Sequence, residues 1–497
     1  MKSKPKKRKA TNFKIAKISQ TLVSHKELVL LSLILIFALF LRVYALENAP
    51  FWVDESISSL VSKNILQSGL PLLGSGALYD RAFVFHYSQA ISFAVFGISD
   101  FAARFPSVLF GVLTVLLAYL IGKEYSKKAG LIAAIFCATF FIEVFFSRQA
   151  RFYQLFQFAF FASIYLLYRS KKNYKFLYPA LLCFLIAVDS QPAGLLLVPF
   201  FVLHILYYNR KKWLFSLVPI IVFFQQQLSV FGIFSRTTAA TVIASADTAA
   251  IQILPALYLR EYLNFAVNMK YLLLFFVPGA IWAFFRNKRL TLLLLIPSFL
   301  LLSGIIFLDI FALRYAYFFA FPLILFSSLL LSFLLEKYGK IFVIVILLVL
   351  LIPSNLFFPF NYVTMVKPTQ GSFNDFSAPE IDVKNIPPEL LSELKEPSSV
   401  IITHYSPPVE WYIKKPSFVL DFSMSGKSSS SIDVNGIDVY SGAPVLDSNS
   451  VSKPYYFIEQ FFATSKLSSG RRALFQSIVS GCEKKFSNND IVVYYCS

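Results

Sequence analysis

Residues 28–46 read LVLLSLILIFALFLRVYAL, and the chain leaves this apolar run at Trp52-Val53-Asp54-Glu55. The run is long enough to cross the hydrocarbon core of a bilayer as a helix. Two adjacent carboxylates at the end of such a span are costly unless they face water, a cation or a substrate. The stretch therefore predicts a membrane-embedded protein with chemistry at the membrane surface.

The whole chain has the composition of a polytopic membrane protein. Of its 497 residues, 57% are hydrophobic and only 15% are charged, whereas soluble domains are about a quarter charged. We predict a polytopic α-helical fold with about eleven transmembrane helices. The expected spans are 28–46, 105–122, 129–146, 153–169, 176–193, 195–209, 213–231, 269–285, 290–308, 316–335 and 341–357.

Lysine and arginine orient these spans. Short basic connections alternate with longer or lysine-poor ones, and the basic set is 123–128, 169–175, 210–212, 286–289 and 336–340. The positive-inside rule places this set and the basic N-terminus in the cytoplasm, and the C-terminus outside. The same rule accounts for the net charge of +19, so we expect no nucleic-acid partner. The short apolar run Phe85–Gly97 would invert every later loop if it crossed, so we expect an outer interfacial helix carrying His86, Ser88 and Gln89.

These boundaries divide the chain into three parts. Residues 1–27 form a basic cytoplasmic tail, 28–363 a transmembrane domain with a first outer loop at about 47–104, and 364–497 a small extracytoplasmic α/β domain. In the last part we expect strands at Ser399–Thr403 and Ile491–Tyr495, a hairpin at Ile432–Val439 turning at Asn435-Gly436, and a helix at Leu467–Lys485. Cys482 and Cys496 are candidates for a disulfide on the outer side.

Charged residues on the predicted outer side include more arginine than the positive-inside rule explains. Arginine binds phosphate in a bidentate manner, and a carboxylate can act as a base beside it. Arg148 and Arg151 are three residues apart on one helix face, although interfacial snorkelling is the structural alternative. For Asp54 the alternative is a helix cap in front of Ser56–Gln67.

The order of four motifs resembles the GT-C superfamily of membrane glycosyltransferases, in the branch of protein O-mannosyltransferases and lipid A aminoarabinose transferases. The motifs are Trp52-Val53-Asp54-Glu55, Phe96 to Ser107 (FGISDFAARFPS), Ser147 to Tyr153 (SRQARFY) and Arg314-Tyr315. The match covers roughly the first 170 residues well. Each motif is weak alone, and the ordered set is fairly specific.

The resemblance implies an enzyme that transfers a hexosyl or pentosyl group from a polyprenyl-phosphate donor, with inversion, to a protein, lipid or glycan acceptor. Asp54 would be the catalytic base and Glu55 its neighbour. The donor phosphate would be bound by Arg104, Arg148, Arg151 and Arg314. The substrate-pocket candidates are Trp52, Arg81, His86, Tyr153 and Arg260. No cofactor is implied as required, and a divalent cation at Asp54 stays open.

Two other functions, and a metal site, are considered as alternatives. A lipid or glycolipid transporter or flippase without transferase activity is the competing function, but no internal repeat is present and the charges gather at helix ends rather than at mid-membrane. A third hypothesis is a non-enzymatic membrane scaffold that presents the C-terminal domain. Some relatives carry an acid after the third span, where this chain has Tyr153-Gln154. That departure argues against a metal site built from two separated acids.

Overall fold

The computed structural model describes residues 26–230, 270–307, 317–346, 381–420, 436–446, 451–464 and 467–497. The first three of these ranges are mainly helical. Their helices are α1 (26–43), α2 (Val53–Ser68), α3 (Phe83–Phe96), α4 (Asp100–Lys123), α5 (Lys127–Thr139), α6 (Phe141–Phe146), α7 (Tyr153–Ser170), α8 (Leu177–Ser190), α9 (Val198–Tyr208), α10 (Leu217–Val230), α11 (Lys270–Phe307), α12 (Ala320–Tyr338) and α13 (Lys340–Ile346).

Helices α4 and α5 form a tight antiparallel pair. Ser99 and Ser126 cap their N-termini by accepting from Ala102 N and Ala129 N. A Cβ on Gly122 would lie 2.8 Å from the Cα of Gly130, so only glycine allows this approach. Small residues at helix crossings are typical of packing in membranes, because close backbones gain van der Waals contact.

Within the described ranges, the largest differences between predicted spans and observed helices are at two places, and most of the span predicted at 341–357 lies outside those ranges. The span predicted at 129–146 is divided, because Phe140 leaves the helical conformation between α5 and α6 (φ −65°, ψ 124°). The spans predicted at 269–285 and 290–308 are two arms of α11, which bends at Asn287 (φ −149°, ψ 73°). Among the residues described here, two helical stretches, Asp100–Lys123 and Tyr317–Tyr338, are long and apolar enough to qualify alone as membrane spans. The count of eleven therefore stays a prediction.

The C-terminal part contains a five-stranded sheet in the order β2-β1-β3-β5-β4. Its strands are β1 (Ile401–Thr403), β2 (Phe418–Val419), β3 (Tyr455–Gln460), β4 (Glu483–Ser487) and β5 (Ile491–Cys496). Its helices are α14 (Pro388–Lys395), α15 (Ser406–Tyr412), α16 (Phe461–Thr464) and α17 (Ser469–Val479). β1 runs parallel to β2 and β3, whereas β5 is antiparallel to β3 and β4.

Three local expectations for this domain need comment. The helix predicted at Leu467–Lys485 is wrong beyond Val479, because Gly481 takes a positive φ of 76° and the chain turns into β4. The turn at Asn435-Gly436 falls partly outside the described residues; from Gly436 onward the chain pairs Ile437 with Pro444. A disulfide joins Cys482 to Cys496 and links the start of β4 to the end of β5.

One helix joins the two parts of the molecule. Ile57 and Val61 of α2 are buried together with Ile401, Ile458 and Val493 of the sheet. Because successive strand residues face opposite sides, Ile402 and Phe457 line the other face, beneath α17. Helix α2 therefore lies between the C-terminal sheet and the bundle, with Asp54 and Glu55 in its first turn.

Candidate active site

Glu55 is buried and fully engaged. Arg104 donates to both of its carboxylate oxygens, each at 2.9 Å, and the backbone N–H of Ala150 donates to Oε1 at 2.6 Å. The backbone N–H of Trp52 donates to Oε2 at 3.3 Å, so Glu55 satisfies the N-cap N–H of α2, which is the glutamate half of a capping box. The capping role considered for Asp54 thus belongs to Glu55.

Arg104 is held as firmly as its partner. Its guanidinium makes five hydrogen bonds, two to Glu55 and one each to the carbonyls of Leu46, Ala49 and Pro50. A guanidinium has five N–H donors. None is left for a donor phosphate in this arrangement, so we assign Arg104 the task of fixing the chain between α1 and α2.

Arg148 binds the end of α1. It donates to the carbonyls of Leu41, Arg42 and Tyr44 through Nη1 and to Ala45 through Nη2. A positive charge is favourable there, because the last carbonyls of a helix carry partial negative charge. As observed, Arg148 holds the end of α1 in place.

Arg151 and Asp54 form a looser pair. Nη2 of Arg151 lies 3.4 Å from Asp54 Oδ2, and Nη1 donates to Ser58 at 2.7 Å. The hydroxyls of Tyr79 and Tyr153 lie 3.4 Å from Arg151 Nη1 and Asp54 Oδ2 respectively. The Asp54 side chain keeps 24% of its surface exposed, against 2% for Glu55. Asp54 is therefore the carboxylate of the pair that a substrate can reach.

The other pocket candidates have unequal surroundings. Trp52 is buried at the start of α2, and exposed Arg81 lies with its guanidinium carbon 5.9 Å from the centre of the Tyr79 ring. His86 is fully buried, with Nδ1 2.8 Å from the carbonyl of Ala82. Burial, helped by the charge of Arg151, lowers the pKa of His86 to about 3, so the imidazole is neutral. Arg260 and Arg314 lie outside the described residues.

The interfacial environment expected for the polar residues of α3 is wrong for two of them. His86 and Gln89 face the interior, and Gln89 accepts from Ser62 of α2 at 2.5 Å and donates to the carbonyl of Ala103 at 2.8 Å. Asp189, at the end of α8, accepts from the first N–H groups of α3 at 3.0 and 3.1 Å. Helix α3 is thus a packed element that supports α2.

Two comparisons with solved structures cover nearly the whole chain. The oligosaccharyltransferase AglB from Archaeoglobus fulgidus, in complex with an inhibitory peptide and a dolichol-phosphate, covers 95% of this chain and 74% of its own, with 13% identity and a TM-score of 0.56. ArnT from Cupriavidus metallidurans, bound to undecaprenyl phosphate, covers 93% and 97%, with 10% identity and a TM-score of 0.58. This chain has the GT-C fold.

Sequence comparisons agree over a shorter range. Residues 80–235 match the family described as dolichyl-phosphate-mannose-protein mannosyltransferase. An uncharacterized protein of Aquifex aeolicus (strain VF5) is 28% identical over 174 residues, which are 33% of this chain and 35% of that protein. The chain therefore matches about a third of the length of this relative. The resemblance to the GT-C superfamily is confirmed, and it identifies a multi-pass membrane protein fold.

The C-terminal domain contributes to the site of this GT-C fold, which the sequence motifs did not reveal. Asp100, at the start of α4, accepts from Lys384, Trp411 and Tyr412 at 2.8 to 3.0 Å. Gly74 of the first outer loop donates through its backbone N–H to the carbonyl of Tyr440 at 2.7 Å. Burial, together with the nearby charge of Asp54, raises the pKa of Tyr440. The C-terminal domain therefore lies beside Asp54.

The described residues around Asp54 do not fit a metal ion. Glu55 is held in a bidentate ion pair, and the positive charge of Arg151 lies 3.4 Å from the Asp54 carboxylate. Over the described ranges, no group of three or more His, Cys, Asp or Glu residues could hold a metal. Among the described residues, a cation there would have to displace Arg151 and would find a single acidic ligand, whereas divalent cations require several oxygen ligands.

Proposed function

We propose that this protein transfers a sugar from a polyprenyl-phosphate-linked donor to an acceptor on the extracytoplasmic side of the membrane, in a single inverting displacement. The observation that carries the proposal is the inequality of the two carboxylates after the first span. The Glu55 carboxylate is occupied by hydrogen bonds within the protein, whereas Asp54 is partly exposed beside a buried arginine.

The geometry supports a base and a phosphate ligand in one place. Asp54 removes the proton from the acceptor hydroxyl while that oxygen attacks the anomeric carbon. The bond between the anomeric carbon and the phosphate oxygen breaks, and the polyprenyl phosphate leaves with the electron pair. Arg151 stabilises the developing negative charge without a metal. Arg314 keeps its predicted role as a second phosphate ligand, and Arg104 and Arg148 hold the scaffold.

The solved relatives are consistent with this donor class. AglB is described with a dolichol-phosphate and ArnT with undecaprenyl phosphate, both of them polyprenyl phosphates. Another structure of the Archaeoglobus enzyme is described as a complex with Zn and sulfate. Because the residues beside Asp54 do not fit a metal, the proposed reaction contains no metal step.

The decisive experiment measures transfer by the full-length protein in proteoliposomes that contain undecaprenyl-phosphate sugars. Mass spectrometry of candidate protein, lipid and glycan acceptors, from cells with and without the protein, identifies the sugar gained. The expected result is a sugar-sized mass gain with release of undecaprenyl phosphate, lost in Asp54→Asn. Movement of a labelled polyprenyl-phosphate sugar across the bilayer without any transfer would instead support a flippase.

The proposed orientation has a separate test. Cysteine labelling from outside should reach Ser68→Cys, at the exposed end of α2, and should miss Lys127→Cys at the exposed start of α5. Both replaced side chains are solvent-exposed, so failure to label reports the membrane side rather than burial. Outside labelling of Lys127→Cys would overturn the orientation.

A further inference from the structure

A set of uncharged and acidic side chains lies inside the helical bundle, beneath the candidate site. Glu143 of α6, Gln154 and Gln157 of α7, and Tyr317 just before α12 are all fully buried. A carboxyl group inside a membrane protein is costly unless its partners satisfy it. The reaction proposed above uses none of these four residues, which we call the polar ring.

The distances close the ring. Tyr317 Oη lies 3.1 Å from Glu143 Oε2 and 2.6 Å from Gln154 Oε1. Nε2 of Gln154 lies 3.2 Å from Oε1 of Gln157, and Nε2 of Gln157 lies 2.9 Å from Oε1 of Glu143. Four hydrogen-bond contacts therefore link the four side chains in a closed ring. A lateral bond from Gln154 Nε2 to Thr114 at 2.9 Å attaches the ring to α4.

A count of protons decides the state of Glu143. Tyr317 has one hydroxyl proton, yet its oxygen lies within 3.1 Å of three acceptor oxygens, on Glu143, Gln154 and Gln157. If Glu143 is a carboxylate, the ring lacks one donor. If Glu143 is protonated, its Oε2–H donates to Tyr317, Tyr317 donates to Gln154, Gln154 donates to Gln157, and Gln157 donates back to Glu143 Oε1. Each of the four ring links then has one proton, and Gln157 Oε1, at 2.7 Å, shares the Tyr317 proton with Gln154.

The charge of Arg42 is the counterargument. Arg42 is buried and its charge acts on Glu143. However, its Nη atoms donate to the carbonyls of Ala38, Ala138 and Cys137 at 3.1 to 3.2 Å. The hydrogen bonds that Glu143 makes come from the ring.

The position of the ring suggests its task. Residues 147–152, which we call the arginine loop, connect α6 to α7 and carry Arg148 and Arg151. Glu143 lies one turn before this loop, and Gln154 and Gln157 lie in the first turn and a half after it. Tyr317 also stacks on Phe146 at 4.2 Å between ring centres, and Phe146 contacts Tyr153 edge-on at 5.9 Å. The polar ring therefore joins the two helices at the ends of the arginine loop. Arg151 of this loop, and Tyr153 just after it, lie near Asp54.

We propose that Glu143 is a protonated, uncharged member of the polar ring, and that Glu143 and Tyr317 are positioning residues that fix the arginine loop against Asp54. The positioning part rests on the glycosyl transfer proposed above. The protonation part does not, because it concerns a hydrogen-bonded carboxyl group whatever the protein transfers.

The test compares three variants of the full-length protein in proteoliposomes. Glu143→Gln has the shape and hydrogen-bonding capacity of a protonated glutamate, so kcat should stay close to that of the wild type. Glu143→Ala and Tyr317→Phe open the ring, and kcat per folded molecule should fall, by up to about 100-fold for a displacement near 1 Å. Rescue by glutamine separates positioning by a neutral ring from a role for the charge, because glutamine cannot ionise.

Infrared difference spectroscopy tests the protonation without any activity. A carboxylic-acid carbonyl band, sensitive to deuterium exchange, should be present in the wild type and lost in Glu143→Gln. Absence of that band would overturn the protonated state.

Activity of Glu143→Gln as low as that of Glu143→Ala would overturn the neutral ring. If Glu143→Ala does not fold, Tyr317→Phe carries the same test, and its full activity would overturn the positioning role. If the wild type transfers no sugar, the proposed function fails while the infrared result still decides the ring.

Discussion

The two sides of the first turn of α2 place adjacent carboxylates in opposite surroundings. On one side, Glu55 receives a bidentate arginine and two backbone N–H groups, and its side chain is 2% exposed. On the other side, the Asp54 carboxylate lies 3.4 Å from Arg151 and from the Tyr153 hydroxyl, and its side chain is 24% exposed. A fully satisfied carboxylate stabilises a structure, whereas an incompletely satisfied one is available for chemistry. The following predictions test this division.

The largest effect is expected at Asp54. Asp54→Asn removes the base and should lower transfer by about 100-fold to 10,000-fold, which is the range for loss of general base catalysis. Expression and melting temperature in detergent should stay near wild-type values, because Asp54 has few close contacts. The matched control is Asp80→Asn, an exposed acid of the same loop, which should leave transfer unchanged. Full activity of Asp54→Asn would remove the base assignment.

Glu55→Gln should act on stability before activity. The change leaves the Arg104 guanidinium buried without its counter-charge, and breaking such a pair costs about 3–5 kcal/mol. We expect a lower melting temperature and poor yield in detergent, with Glu47→Gln, an exposed neighbour, as control. The double variant Glu55→Leu with Arg104→Met should lose less stability than Glu55→Gln alone. A stable Glu55→Gln protein that has lost transfer would mean that Glu55 takes part in the reaction.

Arg151→Ala should weaken donor binding. Charged hydrogen bonds contribute about 1.5–3 kcal/mol, so the affinity for undecaprenyl phosphate should fall by about 10-fold to 100-fold. Titration of the purified protein with undecaprenyl phosphate measures this loss. The control is Arg472→Ala on the exposed side of α17, far from Asp54 in the fold. Unchanged affinity in Arg151→Ala would exclude Arg151 as the phosphate ligand.

The smallest effect is expected at Tyr153. Its hydroxyl lies 3.4 Å from Asp54, which is long for a hydrogen bond. Tyr153→Phe should reduce kcat by about fivefold or less, in keeping with roughly 1 kcal/mol for one neutral hydrogen bond. Tyr87→Phe, which removes a hydroxyl that donates to the carbonyl of Gly69, is the matched control. A loss as large as that of Asp54→Asn would make Tyr153 a catalytic residue in its own right.

Local pattern predicted several elements well. The apolar runs located α4, α7 and α8, because a helix in lipid must be apolar over its length whatever its neighbours are. The strand expected at Ile491–Tyr495 is β5, and β1 occupies the last three residues of Ser399–Thr403. The break at Phe140 was missed, since no glycine or proline marks it. An acid inside the predicted span 129–146 was nevertheless a visible signal for Glu143.

The motifs located the region of the candidate site but could not rank its residues. Arg104, Arg148 and Arg151 are alike as outer arginines in the sequence, and the structure separates them by their partners. Arg104 and Arg148 donate to main-chain carbonyls near the end of α1 that are 54 to 107 residues away in sequence. Which backbone carbonyls need a side-chain donor depends on the tertiary fold, and the residue types in the sequence do not show it.

The sequence by itself determined that the chain is a multi-pass membrane protein and that Asp54 and Glu55 follow the first long apolar run, with arginines further along the chain; that the basic loops share one side stays a prediction. These features follow from hydropathy and charge, which act locally along the chain. Only the tertiary structure decided that Glu55 is buried in the scaffold and that Asp54 stays partly exposed. Burial and hydrogen-bond saturation depend on segments distant in sequence, and adjacent residues on a helix point about 100° apart, so each meets a different set of them.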